Sequence, residues 1–262
     1  MEEELTFWDH LHELLTRLRR VLISWFIALG IYLTAPSSLE DLRSLVVGDV
    51  YTPLVLKVLK GLENYIKDVT GLRELILIPA EITTPLELYI EASILLATAT
   101  VAPYFAYEMY MFLEPGLYPH EKRYLKRFIL GFSAAFGFGI AYGFLVIAPI
   151  TFRILLLFVD MVGWEQIINA RTFFNTLILT VLASGIIFTI PVFLVLAFKL
   201  GFILPDMVAE IRRYIYVAVL IIAAVITADP TPVSMLLISI PFIFALELSI
   251  WIGRRIVGGE SS

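Results

Sequence analysis

The chain has 262 residues, of which 60% are hydrophobic and only 16% are charged, and its mean hydropathy is +0.89. A soluble domain carries about a quarter charged residues, so this composition predicts an integral membrane protein. The net charge of −5 argues against binding to nucleic acid, which requires a basic surface. The sequence has no cysteine and its three histidines form no ligand motif, so we expect no metal and no cofactor.

The first predicted span covers residues 18–36 and follows an amphipathic start. Leucines recur at helical spacing in that start, at positions 11, 14 and 18. Three arginines, at positions 17, 19 and 20, stand just before the apolar run. By the positive-inside rule they predict a cytoplasmic N-terminus.

The segment 37–83 is predicted to be a loop on the outer face that contains an amphipathic helix over residues 53–70. Thr52-Pro53 is typical of a helix start, and Gly71 is typical of a helix end. The apolar residues of this helix fall on one face, opposite lysines and acidic residues. We therefore expect it to lie flat at the membrane surface or to cover the ends of other helices.

The second and third spans are predicted over residues 84–113 and 124–159. Glu108 lies near the cytoplasmic end of the second span, where a carboxylate is costly unless it faces protein or water. Two interpretations stay open for it, a paired interfacial side chain or a functional one. The third span contains several glycines, which predict close packing against another helix.

The last three spans are predicted over residues 172–199, 213–228 and 231–252. The final two contain apolar runs of about 15 residues, which rise only about 22 Å against a hydrocarbon core of about 30 Å. Either the bilayer is thinner there, or the two segments form a re-entrant hairpin around Asp229. Both arrangements leave the C-terminus cytoplasmic. The whole chain, residues 1–262, is thus predicted to be one all-α membrane domain with six transmembrane helices, the last two of them short.

A short polar loop, residues 114–127, joins the second and third spans. Its prolines and glycine stop the preceding helix, and its four lysines and arginines predict a cytoplasmic location. Glu121 stands among these cations. It either caps the next helix or pairs with a neighbour, or it accepts a cationic ligand. Together with Glu13 on the same face, it can hold two adjacent guanidinium groups through bidentate hydrogen bonds.

The sequence contains no GxxxxGK[ST], GxSxG or HExxH motif, so we expect no enzymatic activity. One alternative class of function remains open from the residues alone. It is a polytopic solute transporter or channel whose path lies between the spans.

Two motifs resemble those of the TatC family, the multi-span subunit of the twin-arginine protein translocase. They are His10-Leu-His-Glu13-Leu, followed by Arg17, and Phe112-Leu-Glu-Pro115-Gly-Leu-Tyr118-Pro-His120-Glu121-Lys122-Arg123. Weaker similarities follow at the expected spacing over nearly the whole chain. They are Thr84-Pro85-Leu, Phe188 with Pro191, and Thr227-Ala-Asp229-Pro.

The resemblance implies a receptor in the cell inner membrane that binds the twin-arginine signal peptides of folded precursor proteins at its cytoplasmic face. Export would be driven by the proton-motive force, in a multimeric complex with the single-span subunits TatA and TatB. The implied fold is a glove-like, concave bundle. By family motif Glu13 and Glu121 would hold the arginine pair, and the remaining site residues would be Phe112, Pro115, Tyr118, His120, Lys122, Arg123 and Arg17.

Two positions depart from the family pattern. Leu15 stands where the family usually has arginine, and Thr189 stands where the fourth span usually carries a glutamate. We hypothesise that Glu165 supplies the missing charge if its loop dips into the concave face. With Asp229 and Glu108, it makes up the set of polar candidates within the membrane or on that face.

Overall fold

The computed structural model describes residues 7–38, 52–71, 75–113, 125–227 and 232–259. Within these ranges the chain forms eight α-helices and two short strands. In chain order they are α1 (Phe7–Thr34), α2 (Leu54–Thr70), β1 (Ile76–Ile78), α3 (Thr84–Leu113), α4 (Leu125–Tyr142), α5 (Ala148–Val162), β2 (Ile167–Asn169), α6 (Ala170–Lys199), α7 (Pro205–Thr227) and α8 (Pro232–Gly259). A π-helical turn, Gly143–Ile147, joins α4 to α5.

Four helical segments of the described chain are long and apolar enough to cross a membrane. They are Thr84–Phe112, Arg127–Val162, Ala170–Lys199 and Pro232–Ile256. The predicted all-α membrane fold is therefore confirmed, whereas the count of six spans stays a prediction. The apolar runs predicted as the first and fifth spans lie in α1 and α7, which both begin with polar turns.

Helices α7 and α8 correct the expectation that the last two helices are short. They contain 23 and 28 residues, which corresponds to about 35 Å and 42 Å at 1.5 Å per residue. They exceed the apolar runs because their polar ends are helical too. The turn between them, residues 228–231, lies outside the described residues, and so do Asp229 and the proposed hairpin.

Two strands that the sequence analysis did not predict tie distant loops together. β1 and β2 pair in parallel, with Ile76 opposite Ile167 and Ile78 opposite Asn169. Beside them lies α2, the helix predicted between Pro53 and Gly71; its buried Val55, Leu59 and Ile66 pack into the same core cluster as Phe152 and Leu156 of α5. We call this part of the bundle the sheet end.

The opposite end of the bundle carries most of the arginines, and we call it the basic end. It comprises the start of α1, the end of α3, the start of α4, the α6–α7 junction and the end of α8. Arg212 pairs with Glu247 there, at 3.2 Å, and Arg254 pairs with Asp206 at 2.9 Å.

Helices α1 and α3 pack antiparallel and are joined by polar contacts. The indole Nε1 of Trp25 donates a hydrogen bond to Thr98 Oγ1 at 3.0 Å, and the hydroxyl of Tyr89 donates to the carbonyl oxygen of Leu33. The distance along the helix axis from Trp25 to Arg17 in α1 is nearly equal to the distance from Thr98 to Glu108 in α3. Because the helices run in opposite directions, Arg17 and Glu108 come to the same level.

Helices α4 and α6 meet through glycines. A Cβ atom added at Gly139 would lie 2.6 Å from the carbonyl oxygen of Ser184 and 2.8 Å from Gly185 Cα. A Cβ at Gly143 would lie 3.0 Å from Ser184 Cβ. The predicted role of the glycines in close packing is confirmed at these two positions, whereas Gly137 has no neighbour within 4 Å of such an atom.

Candidate functional site

One guanidinium joins two carboxylates from different helices at the basic end. Arg17 donates from Nη2 and Nε to Glu13 Oε1, at 2.6 Å and 3.0 Å, and from Nη1 to Glu108 Oε2 at 3.2 Å. Glu13 and Arg17 are one turn apart on α1, and Glu108 is on α3. We call these three residues, with Tyr104 and Arg20, the carboxylate cluster.

Glu108 is the buried member of the cluster, with only 4% of its surface exposed. Its Oε1 accepts a hydrogen bond from the Tyr104 hydroxyl at 2.7 Å, and Arg20 Nη1 lies 3.9 Å from its Oε2. A buried carboxylate is costly unless charges and hydrogen bonds compensate it, and here both do. Glu108 is thus a paired side chain, and its functional role stays a prediction.

Glu13 is the more accessible carboxylate, with 26% of its side chain exposed. Its Oε1 accepts both bonds from Arg17, whereas its Oε2 accepts no hydrogen bond from the part of the chain that the structure describes. Glu13 is therefore oriented by Arg17 and keeps one carboxylate oxygen available.

Arg17 provides a permanent positive charge in this cluster. Burial alone lowers the pKa of its guanidinium, but hydrogen bonds and Coulombic attraction from Glu13, followed by those from Glu108, outweigh burial and raise the pKa above its ordinary value. An arginine side chain stays protonated at physiological pH. Its link to both carboxylates is therefore a lasting feature of the site.

Most residues of the predicted loop motif fall between 114 and 124 and lie outside the described residues. These are Pro115, Tyr118, His120, Glu121, Lys122 and Arg123. The meeting of Glu13 with Glu121 therefore stays a prediction. Phe112 is described, and it lies one helical turn beyond Glu108 on α3, so the aromatic ring and the buried carboxylate share a helix face.

The structure gives no support to Glu165 as a replacement for the charge missing at Thr189. Glu165 is exposed beside β2 at the sheet end. Thr189 lies about 28 Å farther along the bundle, from the rise per residue of α6. It is buried, and its hydroxyl donates to the carbonyl oxygen of Ile186 at 2.6 Å. With Trp25 and Thr98 it lines a cavity of about 290 Å³ between α1, α3, α4 and α6.

The sequence analysis missed Tyr104, Arg20 and the partnership of Arg17 with Glu108. These contacts depend on how the two antiparallel helices are aligned along their common axis. The sequence of one helix alone does not specify that alignment. Leu15, at the position where the family usually has arginine, is 55% exposed. The cation that pairs with Glu13 is instead the guanidinium of Arg17, about half a turn farther along α1.

The protein family of the chain follows from a comparison with family models. The family model for Sec-independent protein translocase protein (TatC) matches residues 9–241. The chain belongs to the TatC family.

Individual TatC proteins are similar over nearly the full length. TatC of Listeria innocua is 30% identical over 249 residues, which cover 95% of this chain and 91% of that protein. TatC of Aquifex aeolicus is 27% identical over 251 residues, which cover 94% and 93%. A crystal structure of the twin-arginine translocase receptor TatC matches with a TM-score of 0.77 at 26% identity, and covers 95% of this chain and 99% of that one.

These similarities make the chain a core, membrane-embedded subunit of the twin-arginine protein translocase. Its function is protein transport as one component of a translocase complex. The alternative of a solute transporter or channel is thereby set aside.

Proposed function

We propose that this subunit is the receptor for twin-arginine signal peptides and that it binds them at the basic end. The observation that carries the proposal is the bound guanidinium of Arg17, held by Glu13 and Glu108 within 3.2 Å. Carboxylates that already hold one arginine side chain have the chemistry needed to recognise another.

In this proposal Glu13 accepts one arginine of the signal peptide through its available Oε2, and Glu121 accepts the other. Phe112, Pro115 and Tyr118 shape the surrounding surface. The cations at Lys122 and Arg123, with His120 and Arg17, disfavour polycations that lack the arginine pair. Glu108 does not contact the peptide in this arrangement, because it is buried and fixes Arg17 from the opposite side.

The proposed topology places the basic end in the cytoplasm and the sheet end outside the inner membrane. The clustering of lysines and arginines at one end supports this orientation, with both termini cytoplasmic. Six spans then cross the membrane, formed by α1, α3, α4 with α5, α6, α7 and α8, in a glove-like bundle. TatA and TatB are the proposed single-span partners, and the complex exports folded precursors by using the proton-motive force.

The test measures binding of a synthetic twin-arginine signal peptide to the purified protein in nanodiscs. Glu13→Gln and Glu121→Gln should each weaken binding about tenfold, since each removes one charge-assisted hydrogen-bond acceptor. A peptide with both arginines replaced by lysine should bind weakly to every variant.

The matched control is Glu63→Gln in α2. Glu63 pairs with Lys67 four residues later at 2.7 Å and has a side-chain exposure of 25%, almost the same local geometry as Glu13 with Arg17. This variant should bind the peptide like the parent protein. Unchanged binding in the Glu13→Gln/Glu121→Gln double variant would refute the site.

A further inference from the structure

Glu108 is a buried acid that takes no direct part in the proposed contact with the signal peptide. Only 5% of its side chain is exposed, against 26% for Glu13. A carboxylate buried so deeply is costly unless fixed partners compensate for its charge. The contacts of Glu108 with the neighbouring helix indicate a role in recognition.

Glu108 is held in place as a fixed acceptor. Its Oε1 accepts a hydrogen bond at 2.7 Å from the hydroxyl of Tyr104, one turn earlier on the same helix. Its Oε2 faces α1 and lies 3.2 Å from Nη1 of Arg17 and 3.9 Å from Nη1 of Arg20. Because Tyr104 holds one oxygen and burial restricts the whole side chain, the other oxygen has a defined place beside α1.

This acceptor determines how the guanidinium of Arg17 meets Glu13. A guanidinium is planar and rigid, so a bond at one nitrogen sets the direction of the other two. With Nη1 bonded to Glu108, both Nε and Nη2 donate to a single atom, Glu13 Oε1, at 3.0 Å and 2.6 Å. Arginine and carboxylate frequently meet fork to fork instead, with one nitrogen on each oxygen. That arrangement would occupy Glu13 Oε2, which accepts no hydrogen bond from the described residues.

We infer that Glu108 is a positioning residue for signal-peptide recognition, because its bond to Nη1 of Arg17 keeps Oε2 of Glu13 vacant for an arginine of the peptide. Without Glu108, the guanidinium of Arg17 turns to take both oxygens of Glu13, and the peptide's arginine loses its acceptor. The inference rests on the proposed function, since it concerns the same acceptor. It adds a residue that lies in neither of the two main sequence motifs.

The test uses the full-length protein in nanodiscs and the synthetic twin-arginine peptide. Glu108→Gln should weaken peptide binding about tenfold, as much as Glu13→Gln, because both variants deprive the peptide of the same oxygen. The two losses should not add, so Glu13→Gln/Glu108→Gln should bind like Glu13→Gln alone. Parent-like binding by Glu108→Gln, or a further loss in the double variant, would overturn the inference.

A second pair of variants separates this role from the simple loss of a negative charge. Arg17 and Arg20 both face Oε2 of Glu108, so removing either arginine from the Glu108→Gln protein restores the original net charge. Glu108→Gln/Arg17→Met should regain the affinity of the parent, because no internal guanidinium then competes for Glu13. Glu108→Gln/Arg20→Met should stay as weak as Glu108→Gln. Equal affinities in these two double variants would show an effect of charge alone and would overturn the positioning role.

Glu247 provides the matched control for a paired carboxylate at the basic end. It also accepts hydrogen bonds from an arginine and a tyrosine, Nη1 of Arg212 at 3.2 Å and the hydroxyl of Tyr216, but it joins α8 to α7 instead of α3 to α1. Glu247→Gln should therefore bind the peptide like the parent protein. A loss as large as that of Glu108→Gln would contradict a role specific to Glu108.

The same measurements distinguish failure of this inference from failure of the proposed function. If the parent protein and Glu13→Gln bind the peptide equally well, the receptor site is wrong and the inference falls with it. If Glu13→Gln weakens binding and Glu108→Gln does not, the receptor site stands and only the role of Glu108 is refuted.

Discussion

The contacts α1–α3 and α4–α6 hold antiparallel helices together by different means. α1 and α3 are joined by hydrogen bonds and ion pairs, from Tyr89 at one end to the carboxylate cluster at the other. α4 approaches the backbone of α6 closely at Gly139, and the π-helical turn that follows α4 does so at Gly143. Within a bilayer both modes are effective, because apolar burial alone drives little helix association there.

The difference explains where a ligand site can form. A contact through glycine has no charged or polar side-chain group that could bind a ligand instead of its partner helix. α4 and α6 therefore serve as a fixed scaffold. A charged contact consists of groups that also bind other charged molecules. We expect recognition of the signal peptide's arginines at the α1–α3 contact for this reason, and three substitutions test the contrast.

The largest expected effect comes from Arg17→Met. It leaves Glu108 buried without its guanidinium, and breaking a buried ion pair costs about 3 kcal/mol of unfolding free energy. The measurement is unfolding by SDS titration in mixed micelles. Lys67→Met, in the Glu63–Lys67 pair of α2, leaves a carboxylate that is 25% exposed rather than 5% exposed, and should cost about 1 kcal/mol or less. Equal losses in the two variants would show that burial of Glu108 adds nothing.

The second-largest loss of stability is expected from Gly139→Ala, which tests the contact between α4 and α6. The added Cβ meets backbone atoms of α6 at 2.6 Å and 2.8 Å, so the helices must separate, which costs about 2 kcal/mol. Gly137→Ala is the control two residues earlier, where the new methyl group has open space and should be neutral or slightly stabilising. The same unfolding assay distinguishes them, and similar stabilities would contradict the tight contact.

The smallest effect is expected from Tyr104→Phe, which removes one hydrogen bond to the buried carboxylate of Glu108. A hydrogen bond to a charged group contributes about 1.5 kcal/mol. Tyr107→Phe is the control, since Tyr107 stacks on Tyr104 without bonding Glu108. If Tyr104→Phe instead matched its control, the hydroxyl would have no share in compensating Glu108.

Features encoded locally were predictable from the sequence. The helix 53–70 was placed to within one residue because Pro53 and Gly71 mark its ends, and Gly71 adopts a left-handed backbone with φ of 75°. The membrane class followed from long apolar runs. The glycines of the third predicted span indicated a close contact, although only their surroundings could show that Gly139 and Gly143 make it and Gly137 does not.

Features that depend on distant segments were not predictable in this way. The pairing of Arg17 with Glu108 requires the relative level of two helices, which neither helix specifies. The strands β1 and β2 contain three residues each and exist only because they pair with each other. The lengths of α7 and α8 were underestimated because hydropathy marks apolar runs, whereas helices continue through polar turns.

Several contacts join distant segments at the sheet end. β1 holds β2, Glu87 of α3 lies 3.0 Å from Arg171 of α6, and Tyr89 holds α1. Glu108 lies about 36 Å from the start of α3, so a tilt of only about 5° at the sheet end would carry it about 3 Å. That displacement is comparable to the length of its bond with Arg17. A tilt of that size between α1 and α3 would therefore break the Arg17–Glu108 ion pair at the basic end while the contacts at the sheet end stayed in place.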